Sequence, residues 1–218
     1  MHSTNRYRVT AWMVFADFFA ALALLAMTLY GVQRQKNIAI TSADRSLTQL
    51  LCRSLRRELP GYAKTITCDI RNSSISLPEV LLFAYGKAEI SHQGKVDAVV
   101  RALFSAKEEW KDRKAFLLIL RGHADASGNT RANLELSRNR ARAMESALAQ
   151  GGVKAPDFHV AAQGVGDTEP VIDNCPKAGT PRPKSAWSHC RGRVLLDENA
   201  LAPNRRTELR FGFFSGSN

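Results

Sequence analysis

Residues 12–30, WMVFADFFAALALLAMTLY, form an apolar run of membrane length in which Asp17 is the one charged side chain. A helix needs about 20 mostly apolar residues to cross the hydrocarbon core, and with Ala11 and Gly31 the run supplies that length without a proline. It predicts a transmembrane helix over residues 11–31, behind a short polar tail over residues 1–10. A carboxylate at membrane depth costs about 3 kcal/mol on insertion scales, which makes Asp17 a functional candidate; the plainer alternative is a signal anchor that tolerates a stray acid. Desolvation penalises the charged form, so Asp17 would exchange a proton only where a partner or a wet cavity receives its charge. Ala20, Ala21 and Leu24 share its helical face, and the two alanines let another helix approach closely. One helix cannot enclose a proton path, so a second copy or another membrane subunit is implied. A cleaved signal peptide competes with this reading, with Arg6 and Arg8 at its head. The run is longer than the usual apolar core of such a peptide, holds an Asp and lacks a clear small-x-small site at its end.

The 218 residues allow such a span plus one ordinary soluble domain. Four cysteines, Cys52, Cys68, Cys175 and Cys190, contain no C-x-x-C pair. Their even number favours two local disulfides, Cys52 with Cys68 and Cys175 with Cys190, over a zinc or thioredoxin-like site; four buried free thiols are the alternative. Disulfides persist on the oxidising side of a membrane, which places the chain after the span in a periplasm and its start in the cytoplasm. Charge around the span does not decide orientation, because Arg6 and Arg8 are balanced by Arg34 and Lys36. The expectation is a single-pass protein of the bacterial inner membrane.

Net charge is +11, which calls for anionic partners. Arginines are spread along the chain instead of forming one aromatic-interleaved patch, which argues against nucleic acid. The carboxylate-rich cell wall fits better.

Hydrophobic periodicity predicts a helix over residues 43–59, with Thr41 or Ser42 as cap and Arg45, Arg53, Arg56 and Arg57 on its solvated side. Residues 65–70 and 74–77 read as a hairpin, so residues 32–78 form a folded connector. From residue 79 an alternating α/β series follows: strands over 79–84, 115–120, 158–162 and 207–213, and helices over 94–107 and 134–148. Val96, Val99, Val100, Leu103 and Phe104 would form the buried side of the first of these helices. A Pro-, Gly- and Cys-bearing insertion occupies 170–203.

A second constellation lies at residues 121–144. Gly122-His123-Ala124-Asp125 leaves a strand, Gly128 turns the loop, and Asn133, Ser137 and Arg140 fall on one helical face. An acid and an arginine so placed can hold the two ends of a zwitterion, Asp125 an ammonium and Arg140 a carboxylate. A helix-capping loop beside a surface arginine is the simpler alternative.

These residues, with Leu136-Ser137, Arg140-Ala141, Gly164-Val165-Gly166-Asp167 ahead of Pro170, and Asn204-Arg205-Arg206-Thr207-Glu208-Leu209, resemble the peptidoglycan-binding domain of the OmpA family over about residues 79–214. The resemblance implies a domain over 79–218 with an α/β (α+β) fold, a β-α-β-α-β sandwich with a further strand, and a site for the diaminopimelate of the wall peptide. Asp125 and Arg140 would be its ligand pair, supported by Asn133 and Arg206. Ala124 departs from the Thr frequent in the family, which removes a hydroxyl and spares the charges. Cys175 and Cys190 stand where some members have a disulfide.

Residues 15–22, FADFFAAL, resemble the proton-carrying helix of MotB-type stator subunits, whose layout is such a helix ahead of an OmpA-like domain. That family implies two copies of this subunit inside a ring of a polytopic MotA-like partner, five copies in the best-known cases. Leu51-Cys52, Thr65-Ile66-Thr67-Cys68-Asp69, the 72–76 hairpin and Glu208-Leu209-Arg210 followed by Phe213-Phe214 look closest to the B subunit of Zorya antiphage systems. The function expected is a wall-binding subunit of a proton-driven motor, with the proton as coupling ion and no cofactor or metal. Alternatives are a flagellar-type stator subunit or a structural envelope anchor in which Asp17 is idle. An enzyme is not expected, because His123 lacks a Ser or Cys partner at nucleophile spacing and the histidines show no zinc-ligand spacing.

Overall fold

A computed structural model describes residues 43–111, 115–172, 175 and 199–213. They lie in one compact unit that begins at Ala43. The expected tail and span with Asp17, the cap candidates Thr41 and Ser42, Cys190 and most of the 170–203 insertion fall outside the described residues. Among those described, no helix is long and apolar enough to cross a membrane.

Residues 43–58 form α1. Leu47, Leu51 and Leu55 recur at helical spacing and are buried, while Arg45, Arg53, Arg56 and Arg57 face solvent. A 3-10 turn at Pro60–Tyr62 ends the helix and leads to β1 (Thr67–Asp69) and β2 (Ser74–Pro78), an antiparallel hairpin. The expected disulfide between Cys52 and Cys68 is present and ties α1 to β1. Cys175 is disulfide-bonded as well.

Residues 43–78 are not a separate connector. β1 and β2 belong to one five-stranded sheet of order β1-β2-β5-β3-β4, in which β2 pairs antiparallel with β5 (Arg206–Phe213). Without β2, β5 would present a row of unpaired backbone groups along that edge. Leu47, Leu51, Leu55, Ile66, Ile75 and Leu77 enter the same core as Leu118, Leu120 and Leu209.

The expected strand over 79–84 is a single helical turn, α2 (Glu79–Leu82). Pro78 ends the ladder in an extended conformation, and the Glu79 N–H turns to the Arg205 carbonyl at 3.0 Å. Only Phe83 keeps a β contact, an isolated bridge to Ile90. The remaining elements are α3 (Gln93–Glu109), β3 (Phe116–His123), α4 (Thr130–Gln150) and β4 (Phe158–Gly166). β3 and β4 run parallel across α4, and β5 returns antiparallel beside β3, giving a mixed α/β domain.

Val96, Val99 and Leu103 of α3 and Met144 and Leu148 of α4 pack on the apolar sheet face. Phe104, expected on the buried side of α3, is 38% exposed. It sits at the border of the apolar arc, with its ring edge-on to Phe158 and its tip beside Gly152. β3 runs through Arg121 and His123, past the apolar run that revealed it, because the ladder to β5 continues with Arg121 opposite Glu208.

Candidate functional site

The loop that leaves β3 is positioned by close backbone packing. Gly122 and Gly164, neighbours on β3 and β4, both face α4: a Cβ on Gly122 would stand 2.0 Å from the Ser137 carbonyl oxygen, and one on Gly164 2.6 Å from the Arg138 nitrogen. The helix therefore lies directly on the strand ends. Ser137, fully buried, accepts the Gly166 N–H at 2.9 Å, and the Ala124 N–H donates to the Gly166 carbonyl at 2.8 Å. Asn129, not Asp125, caps α4 by accepting from the Arg131 N–H at 2.8 Å.

Asp125 and Arg140 are both buried, and they are joined through two further charged residues. Asp125 Oδ1 accepts the Ser127 N–H at 2.8 Å, and Oδ2 meets Arg205 Nη1 at 2.5 Å. Arg205 Nε lies 2.7 Å from Glu79 Oε2, and Glu79 Oε1 pairs with Arg140 Nη2. Arg140 Nε donates to the Lys87 carbonyl at 2.8 Å. The result is a chain of alternating sign, Asp125, Arg205, Glu79, Arg140, with zero net charge. Asn133 donates from Nδ2 to the Asp125 backbone carbonyl at 2.9 Å and so braces the loop.

Electrostatics within the chain reflect burial and pairing. Burial lowers the Arg140 pKa, only partly opposed by Glu79. Burial acts the same way on Arg205, but its hydrogen bond to Asp125 and the charges of Asp125 and Glu79 outweigh it and raise its pKa. Arg140 lies over the Phe83 ring and Arg205 over the Tyr85 ring, with guanidinium carbons 5.4 and 5.3 Å from the ring centres. A groove of about 380 Å³ opens here, lined by Glu79, Phe83, Tyr85, Ser91, His92 and Arg205 among others.

Arg206 is not in this cluster. It donates from Nη2 to the Glu169 carbonyl at 3.2 Å and belongs to the opposite sheet face, with Glu208 and Arg210. Its neighbour Arg205 takes the place expected of it. The signal was present in the sequence: Leu209, Phe211 and Phe213 mark the core side of β5, and residue 205 shares their parity while 206 does not. Glu79 was also missed, because a strand reading of 79–84 gave it no site to join.

The outer face holds a second ionic group. Glu208 contacts His123 Nε2 at 3.1 Å, Arg121 Nη1 at 3.1 Å and Arg210 Nε at 3.0 Å, and Arg121 also pairs with Glu169. Among the described residues, no group of three or more His, Cys, Asp or Glu side chains is placed to hold a metal ion.

The described residues form a mixed α/β domain, a five-stranded sheet with two long helices and a charged cluster at the β3–α4 junction. The OmpA family model matches residues 82–183. Outer membrane protein A of Serratia odorifera is 29% identical over 143 residues, 64% of this chain and 51% of its own length. The chain thus spans about half the length of that curated relative. Among solved structures, a MotB-like protein from Desulfovibrio vulgaris superposes with a TM-score of 0.55 at 17% identity, covering 84% of this chain and 99% of that one. The peptidoglycan-associated lipoprotein from Burkholderia pseudomallei aligns at 22% identity with a TM-score of 0.40, over 62% of this chain and 88% of its own.

Proposed function

We propose that this chain is the membrane-anchored, peptidoglycan-binding subunit of a proton-driven motor, of the type found in Zorya antiphage systems. The observation that carries the reading is the union, in one chain, of a membrane-length apolar run holding Asp17 with an OmpA-like domain bearing a buried four-charge cluster. In this reading the domain grips the wall of the periplasm, and its alternating charges hold the zwitterionic end of a wall peptide. Asp17 accepts a proton from the periplasmic side and releases it inward, and its change of charge resets contacts with the helices of a polytopic ring subunit. One charge moved through 100 mV supplies about 2.3 kcal/mol, enough to bias a repeated conformational step. Two copies of the chain would stand as a fixed axle within the ring.

Two experiments separate the parts of this reading. Full-length chain in detergent should sediment with purified peptidoglycan, and Asp125→Ala with Arg140→Ala should abolish that; sedimentation unchanged by both substitutions would remove the cluster as the wall site. Asp17→Asn keeps the shape and removes the titrating proton. Unchanged biological activity of that variant, with the partner subunit present, would leave an envelope anchor in place of a motor.

A further inference from the structure

Arg206, on the sheet face away from the four-charge cluster, lines a second cavity, of about 420 Å³, a size within the range of small-ligand sites. Thr67 stands opposite Ser76 and Pro78 opposite Arg206, so the side chains of all four share that face. Val171, Ile172 and Pro203 add apolar walls. Arg206 is 8% exposed, and its Nε is buried without a hydrogen-bond partner. Its Nη atoms donate only to backbone, to the Asn204 carbonyl at 3.5 Å and the Glu169 carbonyl at 3.2 Å. Among the described residues Arg206 forms no ion pair, whereas Arg121 and Arg210 are paired with Glu169 and Glu208. The charges acting on it are those four, so the group of three arginines and two glutamates carries one cation in excess. Burial lowers the pKa of His123 beside them, so it adds no charge at neutral pH. A buried guanidinium without a carboxylate is costly, and here it borders open space.

We propose that this cavity binds a small monocarboxylate with an apolar body, Arg206 receiving the carboxylate through its remaining Nη hydrogens while Thr67 and Ser76 donate their hydroxyls to it. A guanidinium has five N–H donors, so two hydrogen bonds to carbonyls leave Nη hydrogens for a ligand. Among the described residues the Thr67 and Ser76 side chains make no hydrogen bond of their own, and both line the cavity. Ser76 lies diagonal to Arg206 across the β2–β5 ladder, about 7–8 Å between backbones, a gap that one carboxylate bridges by accepting from both sides. A single excess cation matches a carboxylate better than a phosphate monoester, which carries nearly two charges at pH 7. Glu208, opposite Ser76, is neutralised by Arg121 and Arg210. The apolar body packs on Val171 and Ile172, whose N–H groups Asn204 Oδ1 accepts at 2.9 and 3.2 Å. Asn204 is fully buried and its carbonyl also holds Arg206, so wall and charge are oriented before a ligand arrives. This site is separate from the wall-binding cluster and stands whether or not that reading does.

The test titrates full-length chain in non-ionic detergent, with its Thr, Val and Ile methyl groups isotope-labelled for NMR, against isocaproate, isocaproamide, acetate and isoamyl phosphate. Isocaproate should move the Thr67, Val171 and Ile172 methyl signals with a Kd of about 1 mM, the scale for a ligand of its size. It should bind about tenfold or more tightly than the amide, the step expected for a charge-assisted hydrogen bond, and more tightly than acetate, which lacks the apolar body. Arg206→Gln keeps a donor and removes the charge, so it should bind acid and amide alike. Val171→Glu places a like charge on the wall at a position 56% exposed, where the fold tolerates it. It should weaken isocaproate severalfold and leave the amide unchanged, and it decides the matter if Arg206→Gln does not fold. Equal affinity of wild type for acid and amide, or Val171→Glu binding isocaproate as wild type does, would show that no carboxylate is received at Arg206. Tighter binding of isoamyl phosphate than of isocaproate would overturn the carboxylate assignment in favour of phosphate esters. If isocaproate moves none of the three methyl signals, the cavity is not a carboxylate site, and the wall-binding reading is untouched.

Discussion

Gly122 lies directly under Ser137, so close that a methyl group on its α-carbon would stand 2.0 Å from the Ser137 carbonyl oxygen. That carbonyl is helix backbone and cannot swing aside. Gly122→Ala must therefore lift α4 from β3 and carry Asn133 and Arg140 away from Asp125. Overpacking of this kind costs about 3 kcal/mol. Urea unfolding should show that loss, while Gly94→Ala, whose added methyl meets nothing within 4 Å, should stay within about 0.5 kcal/mol of wild type.

Glu79 is the shared partner of two buried arginines, and removing it leaves Arg140, 3% exposed, without its carboxylate. Breaking a buried pair from one side costs about 3–5 kcal/mol. Glu79→Ala should lose stability on that scale. Glu79→Ala combined with Arg140→Met, which removes both charges, should recover part of it. A double-mutant cycle by chemical denaturation measures the coupling, and additive losses would show that the pair contributes nothing of its own.

Cys52 and Cys68 are 16 residues apart in sequence and join α1 to the outermost strand of the sheet. A cross-link closing a loop of that size stabilises by about 3 kcal/mol through the unfolded chain. Cys52→Ser with Cys68→Ser should lower the melting temperature by several degrees, the scale expected for such a loss. Limited proteolysis should then cut first near the 70–73 turn, because among the described strands β1 has only β2 as a neighbour.

Most of the fold was legible because its periodicities are strong. The leucines of α1, the apolar run of β3 and the alternation in β5 each point one way and are stated over enough residues to be read. Two readings differ from the structure for reasons that the local sequence does not carry. Residues 79–84 look like a strand because EVLLFA is apolar and short, and nothing in that run reveals that Pro78 ends the ladder or that Arg205 and Arg140 will draw Glu79 into a helical turn. Residues 43–78 look like a connector because a hairpin does not announce its neighbour, and the pairing of β2 with β5 spans more than a hundred residues of sequence. The site was legible by halves. Asp125, Asn133 and Arg140 stand at fixed offsets around one strand–helix junction, whereas Glu79 and Arg205 reach it only through tertiary packing.

Acid should destabilise the domain in two stages, through His123 and then Glu208. His123 is 1% exposed, and burial lowers its pKa from the ordinary 6.5 despite the hydrogen bond with Glu208. Burial alone would raise Glu208, but hydrogen bonds from His123 and Arg210 prevail and hold its carboxylate well below the ordinary 4.5. Arg121, Arg206, Arg210 and Glu169 are the other charges around them. For both groups the unfolded chain binds a proton at a higher pH than the folded one, so stability is full above the unfolded pKa and falls as pH drops toward the folded one. His123 begins to cost stability below about 6.5, and Glu208, with Glu169 held low by Arg121, adds its loss below about 4.5. Melting temperature followed by circular dichroism should decline from pH 7 to pH 5 and more steeply below. His123→Gln can still donate to Glu208 and does not titrate, so it should flatten the first decline and leave the second. A wild-type melting temperature constant from pH 7 to pH 5 would show that His123 is protonated equally in both states.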